Sequence, residues 1–294
     1  MIAEETFNGD DTMSRKIAIT TESAADISAE LQKRYDIHVM PMTVLIGDEE
    51  YKDGVDLTTT ELFEKSKLYS SVPKTSGISP HEYKLVFETL TEKGYDVVHV
   101  ALGSKISSCF QNALFAANSL ENVFVVDSES LSAGTAMLAF SASSLRKSGE
   151  KAAEIAKRLE AERKRISTSF VLEDTDFLLL GGRCKKGEKL LSDLLSLKPT
   201  IDITDGELVP GKRFRGKGLE AMKKYIAEKL SSDIDRRVCL LNYTALSSGE
   251  VNELCAFAKA QGGFESVIAE EAGCCIASHC GERCMGIIFK QASG

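Results

Sequence analysis

The chain has 294 residues, 43% of them apolar and 27% charged, which is enough for a sizeable core without metals or disulfides. Its net charge of −8 excludes a sequence-independent nucleic-acid binder, which needs a basic surface against the phosphates. No apolar run approaches the roughly 20 residues of a membrane helix, so stable membrane insertion is not expected.

Residues 1–13 carry Glu4, Glu5, Asp10 and Asp11 without apolar periodicity and read as a disordered leader, with Met13 as an alternative start. No basic-then-apolar start is present. A signal peptide is therefore not expected, the expected location is the cytoplasm, and the eight cysteines are expected as reduced thiols.

Lys16 to Thr20 reads as a first buried strand. Asp26 is the expected cap of a helix carrying Ile27, Leu31 and Tyr35. Val39 to Leu45 reads as a second strand, with Pro41 marking an edge or irregularity. Gly47 to Glu50 is a turn, and Tyr51 resumes extended chain. Thr58-Thr59-Thr60-Glu61 starts a helix by its capping pattern, and Ser79-Pro80 starts another through Tyr83, Phe87 and Leu90. Strand and helix then alternate over 95–102, 106–120, 122–127 and 132–147, which predicts βαβ units and a parallel sheet. Gly149 to Arg165 is a charged helix whose end is the expected domain boundary.

The second half differs in pattern. Apolar runs at Ser167–Leu172 and Leu178–Leu180 precede Gly181-Gly182-Arg183, and a lysine-rich, then leucine-rich helix is expected before Lys198-Pro199. Ile201 to Val209 reads as a hairpin around Asp205-Gly206. A basic stretch from Lys212 to Lys217 precedes a further helix, and Val238–Asn242, Ser266–Glu270 and Met285–Phe289 read as strands. The expected architecture is α/β: residues 14–165 form an N-terminal parallel-sheet domain, and residues 166–294 an α+β domain with a largely antiparallel sheet. The ligand cleft is expected between or near the two.

Three hydroxyl and glycine clusters lie where strands give way to helices: Thr75 to Pro80, Gly103 to Ser108, and Asp127 to Ser130. Any one of them serves as a helix cap. Three near the same end of one sheet suit a small anionic head group, because ligands of such sheets bind outside the carboxyl ends of the strands. Neither a phosphate loop with its lysine nor a dinucleotide fingerprint is present, which sets nucleotides aside. Gly181-Gly182-Arg183 is either a plain turn or an arginine aimed at an anion, and Arg213 and Arg215 allow the same two readings. Cys274, Cys275, Cys280 and Cys284 lack the paired spacing of zinc ligands, and no metal is expected. There is no Gly-x-Ser-x-Gly elbow for a serine hydrolase.

The ordered set from Lys16 to Lys290 resembles the DegV family, whose characterised members are fatty-acid-binding proteins of the FakB type. The resemblance rests on Ile17 to Asp26, Thr75-Ser76 with Ser79-Pro80, Ser104 to Ser107, Asp127-Ser128 with Gly134, Gly181-Gly182-Arg183, Lys198-Pro199, Arg215-Gly216 and His279-x-Gly281. It implies a protein that is not itself an enzyme and needs no cofactor. Such a protein binds a long-chain fatty acid and presents the carboxylate to a FakA-type, ATP-dependent fatty acid kinase. Thr75, Ser76, Ser107, Ser108 and His279 would hold the carboxylate. Arg183 and Arg215 would face the kinase or the new phosphate. The chain departs from the family pattern at Glu22 for Asp, Gly77-Ile78 for Gln-Pro, Ser108-Cys109 for Gly-Thr, and Glu282-Arg283 for Pro-Gly. Two other readings stay open: a stand-alone enzyme on a small carboxylate or phosphate with His279 as general acid or base, and a thiol sensor built on the four C-terminal cysteines.

Overall fold

The computed structural model describes residues 15–173, 175–183, 197–230 and 233–292. The expected leader and the expected lysine- and leucine-rich helix before Lys198 lie outside the described residues.

The N-terminal half is built on a four-stranded, wholly parallel sheet in the order β2-β1-β6-β7. Its strands are β1 (Lys16–Glu22), β2 (Ile37–Met40), β6 (Tyr95–Ala101) and β7 (Val123–Asp127). Alternation along β6 divides the core. Val97 joins Tyr83, Phe87 and Ala113 under α3 (Pro80–Glu92) and α4 (Cys109–Ala117). Val98 and Val100 join Leu138, Ile155 and Leu159 under α5 (Ala133–Lys147) and α6 (Ala152–Glu162). Helices on both faces leave no side of this sheet to water, which is why its strands read as near-continuous apolar runs.

The strand expected over Val39–Leu45 is two strands. Pro41, with no N–H to donate and a fixed φ, ends β2. The chain then enters a separate antiparallel sheet, β4-β3-β5, made of β3 (Thr43–Ile46), β4 (Glu49–Lys52) and β5 (Lys74–Ser76). Asp26 is not the cap of α1 (Ala29–Tyr35). Ser28 accepts from Leu31 N there, while Asp26 closes the preceding 3-10 turn in the left-handed region. The capping boxes are present as expected at Thr58 and Glu61, which start α2 (Thr59–Tyr69), and at Ser79 and Glu82, with Pro80 at N1 of α3.

From Ile166 on, the strands form a second large sheet. β8 (Ile166–Val171), β9 (Leu197–Thr204), β10 (Glu207–Arg215), β11 (Ile234–Tyr243), β12 (Ser266–Glu271) and β13 (Met285–Gln291) form one sheet in the order β10-β9-β8-β13-β11-β12. All its pairs are antiparallel except β11 with β12. β9 and β10 join at Asp205-Gly206, both in the left-handed region that a tight hairpin turn requires. Helices α8 (Leu219–Lys229) and α9 (Ser248–Gly262) cover one face of this sheet. From the other face Phe170, Ile201 and Leu208 reach into the same cluster as Leu102, Leu131 and Cys275. The short helices α7 (Asp176–Leu180) and α10 (Cys274–Cys280) complete that contact. No described helix is long and apolar enough to cross a membrane.

Candidate functional site

Thr75 stands on β5, paired with Val44 of β3, so the first hydroxyl cluster belongs to the small antiparallel sheet and not to the parallel one. The second and third clusters do follow parallel strands, β6 and β7. α4 starts later than the sequence suggests, at Cys109, because Gly103 to Ser108 is a turn in which Ser107 N bonds to Gly103 O and Ser107 Oγ accepts from Cys109 N at 3.2 Å.

A narrow cavity of about 50 Å³ lies where β5, the Gly103–Ser108 turn, α7 and α10 meet. Its polar end is lined by Thr75, Ser107, His279 and Arg183. Its walls are apolar, with Met42, Leu102, Leu131, Phe170, Leu208 and Ile276 among them. A second space of about 20 Å³ shares Leu131, Phe170, Ile276 and Cys280 with the first and continues it toward Asn242 and Ile288. The result is an apolar seam with a cluster of hydroxyl, imidazole and guanidinium groups at one end.

Thr75 Oγ1 lies 2.8 Å from Nε2 of His279. Nδ1 of His279 is buried and has no hydrogen-bond partner among the described residues. Burial, reinforced by the nearby Arg183 charge, pushes His279 down to about 4, so the imidazole is neutral at pH 7. Arg183 itself is exposed and donates from Nη1 to Gly181 O at 2.7 Å. An ideal Cβ on Gly181 would fall 2.2 Å from His279 Nδ1, so only glycine leaves the ring its place.

Of the residues expected at the site, the structure gathers Thr75, Ser107, His279 and Arg183 around one cavity. Ser76 and Ser108 are exposed and off its wall, and Arg215 is exposed at the end of β10. Two departures from the family pattern meet here. A Cβ on Gly77 would come within 3.0 Å of Ser108 Oγ and 3.2 Å of Cys109 Sγ. Glycine at 77 thus makes room for the serine at 108.

The four C-terminal cysteines are buried. Burial pushes the Cys274 thiol up to about 12 and Cys275 well above the ordinary thiol range, which disfavours the thiolate a redox sensor needs. Among the described residues, no group of three or more His, Cys, Asp or Glu side chains is arranged to hold a metal ion.

Two buried acids, far apart in the chain and with no local signal marking their meeting, position the site. Asp26 Oδ1 accepts from Gly273 N at 2.8 Å, and Asp53 Oδ1 accepts from Cys274 N at 2.7 Å. They hold the first turn of α10, the helix that carries His279 on its last turn. Asp26 Oδ2 also accepts from Ser132 Oγ at 2.5 Å and from Asn242 Nδ2 at 3.3 Å. Burial raises both carboxyls, Asp26 well above the usual carboxylate range. A second constellation lies inside the parallel sheet. Glu22 accepts from Tyr83 OH at 2.5 Å, bonds His99 Nε2 at 2.9 Å, and accepts from Leu102 N at 2.9 Å. Burial works to raise Glu22, but the attraction and hydrogen bond of His99, with the bonds from Tyr83 and Leu102, outweigh it and hold it low.

A wider open groove of about 440 Å³ lies between α5, α6 and the β11–β12 strands. Its rim charges pair among themselves or with neighbours, Lys290 with Glu162, Arg237 with Asp235 and Arg158 with Glu150.

The family model described as "Uncharacterised protein, DegV family" matches residues 16–292. A DegV domain-containing protein of Caldanaerobacter subterraneus subsp. tengcongensis is 31% identical over 280 residues, covering 94% of this chain and 99% of that protein. Among solved structures, a fatty-acid-binding DegV family protein from Thermus thermophilus superposes with a TM-score of 0.85 at 27% identity, covering 94% of this chain and 100% of that one. DegV from Bacillus subtilis, also a fatty acid binding protein, superposes with a TM-score of 0.81 at 26% identity, covering 95% and 100%.

Proposed function

The chain belongs to the DegV family, and from that premise we propose that it binds a long-chain fatty acid and presents the carboxylate to an ATP-dependent fatty acid kinase of the FakA type, which forms the acyl phosphate. Fatty-acid binding by DegV structures of the same fold supports the first half of this reading. The observation that carries it is the pair Thr75 and His279 at the polar end of an apolar seam.

The chemistry follows from protonation. A neutral His279 can donate from Nε2 to Thr75 Oγ1, which leaves the Thr75 hydroxyl hydrogen free for an anion. Thr75 and Ser107 would then donate to one carboxylate without adding a second formal charge to the cavity. A carboxylate is costly to bury unless hydrogen-bonded in this way. Arg183, exposed at the rim, would meet the incoming phosphate or an acidic surface of the kinase, and Arg215 would extend that surface. Each buried CH₂ adds about 0.8 kcal/mol, so the apolar walls supply most of the affinity. Ligand pockets commonly measure roughly 300–1,000 Å³. A chain threading this seam therefore has to spread its walls, and the flexible Met42 is suited to give way.

On this reading the protein carries no catalysis of its own and works in the cytoplasm beside its kinase. A boundary after residue 165 would place Thr75 and Ser107 in one domain and Arg183 and His279 in the other, with the ligand cleft between them. A stand-alone general base at His279 is less well supported, because a side chain that titrates near 4 is a weak base at pH 7.

The test is mass spectrometry of the organic extract from natively purified protein, followed by incubation of the loaded protein with ATP and a FakA-type kinase. A stoichiometric fatty acid that becomes an acyl phosphate only when the kinase is present is the expected result. Absence of lipid, together with no binding of added fatty acids, would sink the reading.

A further inference from the structure

Asn242 sits on β11, hydrogen-bonded between β12 and β13 with Glu270 and Gly286 as its register partners, so its backbone is held on both sides. It is 6% exposed and lines the inner end of the seam. Its Nδ2 donates to Asp26 Oδ2, and its Oδ1 is buried with no hydrogen-bond partner among the described residues. The neighbouring hydroxyls on the same wall are already engaged: Ser132 with Asp26, Thr168 with Ser130, Ser169 with Tyr225, and Thr244 with Gly281 O. Leaving such a group dry is costly, because a buried acceptor without a partner keeps its full desolvation penalty.

The amide could also be turned over, with a protonated Asp26 donating to Oδ1. Nδ2 would then face the seam and need an acceptor. A hydroxyl serves either orientation, since it both donates and accepts. A charged group would have to be desolvated at the apolar end of the seam, where Leu131, Phe170 and Ile288 surround it. We infer that Asn242 recognises a hydroxyl carried on the ligand's hydrocarbon chain, so that the preferred ligand is a hydroxylated long-chain fatty acid. This rests on the fatty-acid reading of the outer cavity. The rival occupant is a single ordered water, for which about 20 Å³ is room enough.

The experiment compares octadecanoic acid with a series of monohydroxy-octadecanoic acids, the hydroxyl stepped along the chain, by competition for the delipidated full chain. In the unmodified protein at least one isomer should bind about tenfold more tightly than the parent acid, the scale of satisfying one buried polar group. Asn242→Leu should reverse that order by favouring the parent. The unmodified protein decides the matter even if the leucine variant does not fold. If octadecanoic acid binds as tightly as the best hydroxy isomer, the group is satisfied by water and the inference fails while the fatty-acid reading stands. If neither acid binds, the fatty-acid reading itself fails and takes this inference with it.

Discussion

Thr75 and His279 are separated by 204 residues and meet at 2.8 Å, one on a strand of the small antiparallel sheet and the other on the last turn of α10. Neither element belongs to the parallel sheet, so the head-group end is a joint between parts of the chain distant in sequence. The variant Thr75→Val, Ser107→Ala removes both proposed donors and keeps side-chain bulk nearly constant. A hydrogen bond to a charged group contributes about 1.5–3 kcal/mol, so fatty-acid affinity should fall by at least about tenfold per hydroxyl. Unchanged affinity in a displacement titration would remove these residues from the site.

His279 gives the fold a pH dependence with a definite sign. The imidazole titrates at 6.5 in the unfolded chain and at about 4 in the folded one, because burial, and then Arg183, oppose its charge. Between those values the unfolded chain binds more protons, so stability falls as pH falls from 6.5 toward 4. The loss from this group alone is about 2 kcal/mol on going from pH 7 to pH 5. Asp26 acts in the opposite sense: burial raises its folded pKa, and its effect is to weaken the fold as pH rises above 3.8. The two are separated by difference. Between pH 7 and pH 5, urea titrations should show a stability change about 2 kcal/mol less favourable in the unmodified protein than in His279→Gln.

How much of this was legible follows from range. Local chemistry was plain: Thr58 with Glu61 and Ser79 with Glu82 are capping boxes in sequence and in structure, and Asp205-Gly206 turns the hairpin. Thr75, Ser107 and His279 were legible through a family pattern, which records contacts that periodicity does not. The sequence points to Asp26 as the cap of α1 because Asp and Ser both cap helices, whereas the structure uses Ser28, two residues on. The partners that explain Asp26, namely Ser132, Asn242 and Gly273, are far away in the chain, and no local signal marks them. Arg283 shows the same limit. Its φ of 56° is a glycine-like backbone at a position where the family pattern has glycine, and its side chain binds Glu250 across the fold.

Gly181 tests the site without removing a polar group. Its backbone is ordinary, with φ at −68°, so alanine costs nothing in torsion. The added Cβ would fall 2.2 Å from His279 Nδ1 and 2.9 Å from Phe177 O. Gly181→Ala should therefore push the imidazole off Thr75. Fatty-acid affinity should drop by about tenfold, the scale of one hydrogen bond to a charged ligand, while the melting temperature changes little. Retained affinity would show that the Thr75–His279 contact does not hold the ligand.

Gly134 should behave in the opposite way. A Cβ there would lie 2.0 Å from Ser130 Oγ and 2.4 Å from Thr168 Oγ1, which bond each other at 2.9 Å. Both hydroxyls are buried, and the bond ties the loop after β7 to β8. Overpacking costs about 1–3 kcal/mol, and the displaced pair adds to it. Gly134→Ala should lower the denaturation midpoint clearly, and an unchanged midpoint would mean that this contact is soft.

Glu22 stands where the family pattern has aspartate, and the extra methylene has a visible use. The carboxylate must reach Tyr83 on α3, His99 on β6 and the N–H of Leu102 beyond β6, all from β1. Glu22 and His99 are fully buried, and His99 Nδ1 is in turn engaged by Thr20 Oγ1 at 2.8 Å. Glu22→Asp withdraws the carboxylate by about one bond length while His99 stays locked by Thr20, so at least one of the three contacts must break. A buried group left unsatisfied costs about 1–3 kcal/mol, more when it is charged. Glu22→Gln keeps the reach and loses the charge. It should cost more than the aspartate variant if ionic attraction to His99 dominates, and less if reach dominates. The sign with pH follows from the lowered pKa of Glu22: its contribution is present above 4.5 and disappears as pH falls through the folded value. Denaturant midpoints of both variants at pH 7 and pH 4 would decide between charge and reach, and midpoints equal to the unmodified protein's at both pH values would show that this network does not support the sheet.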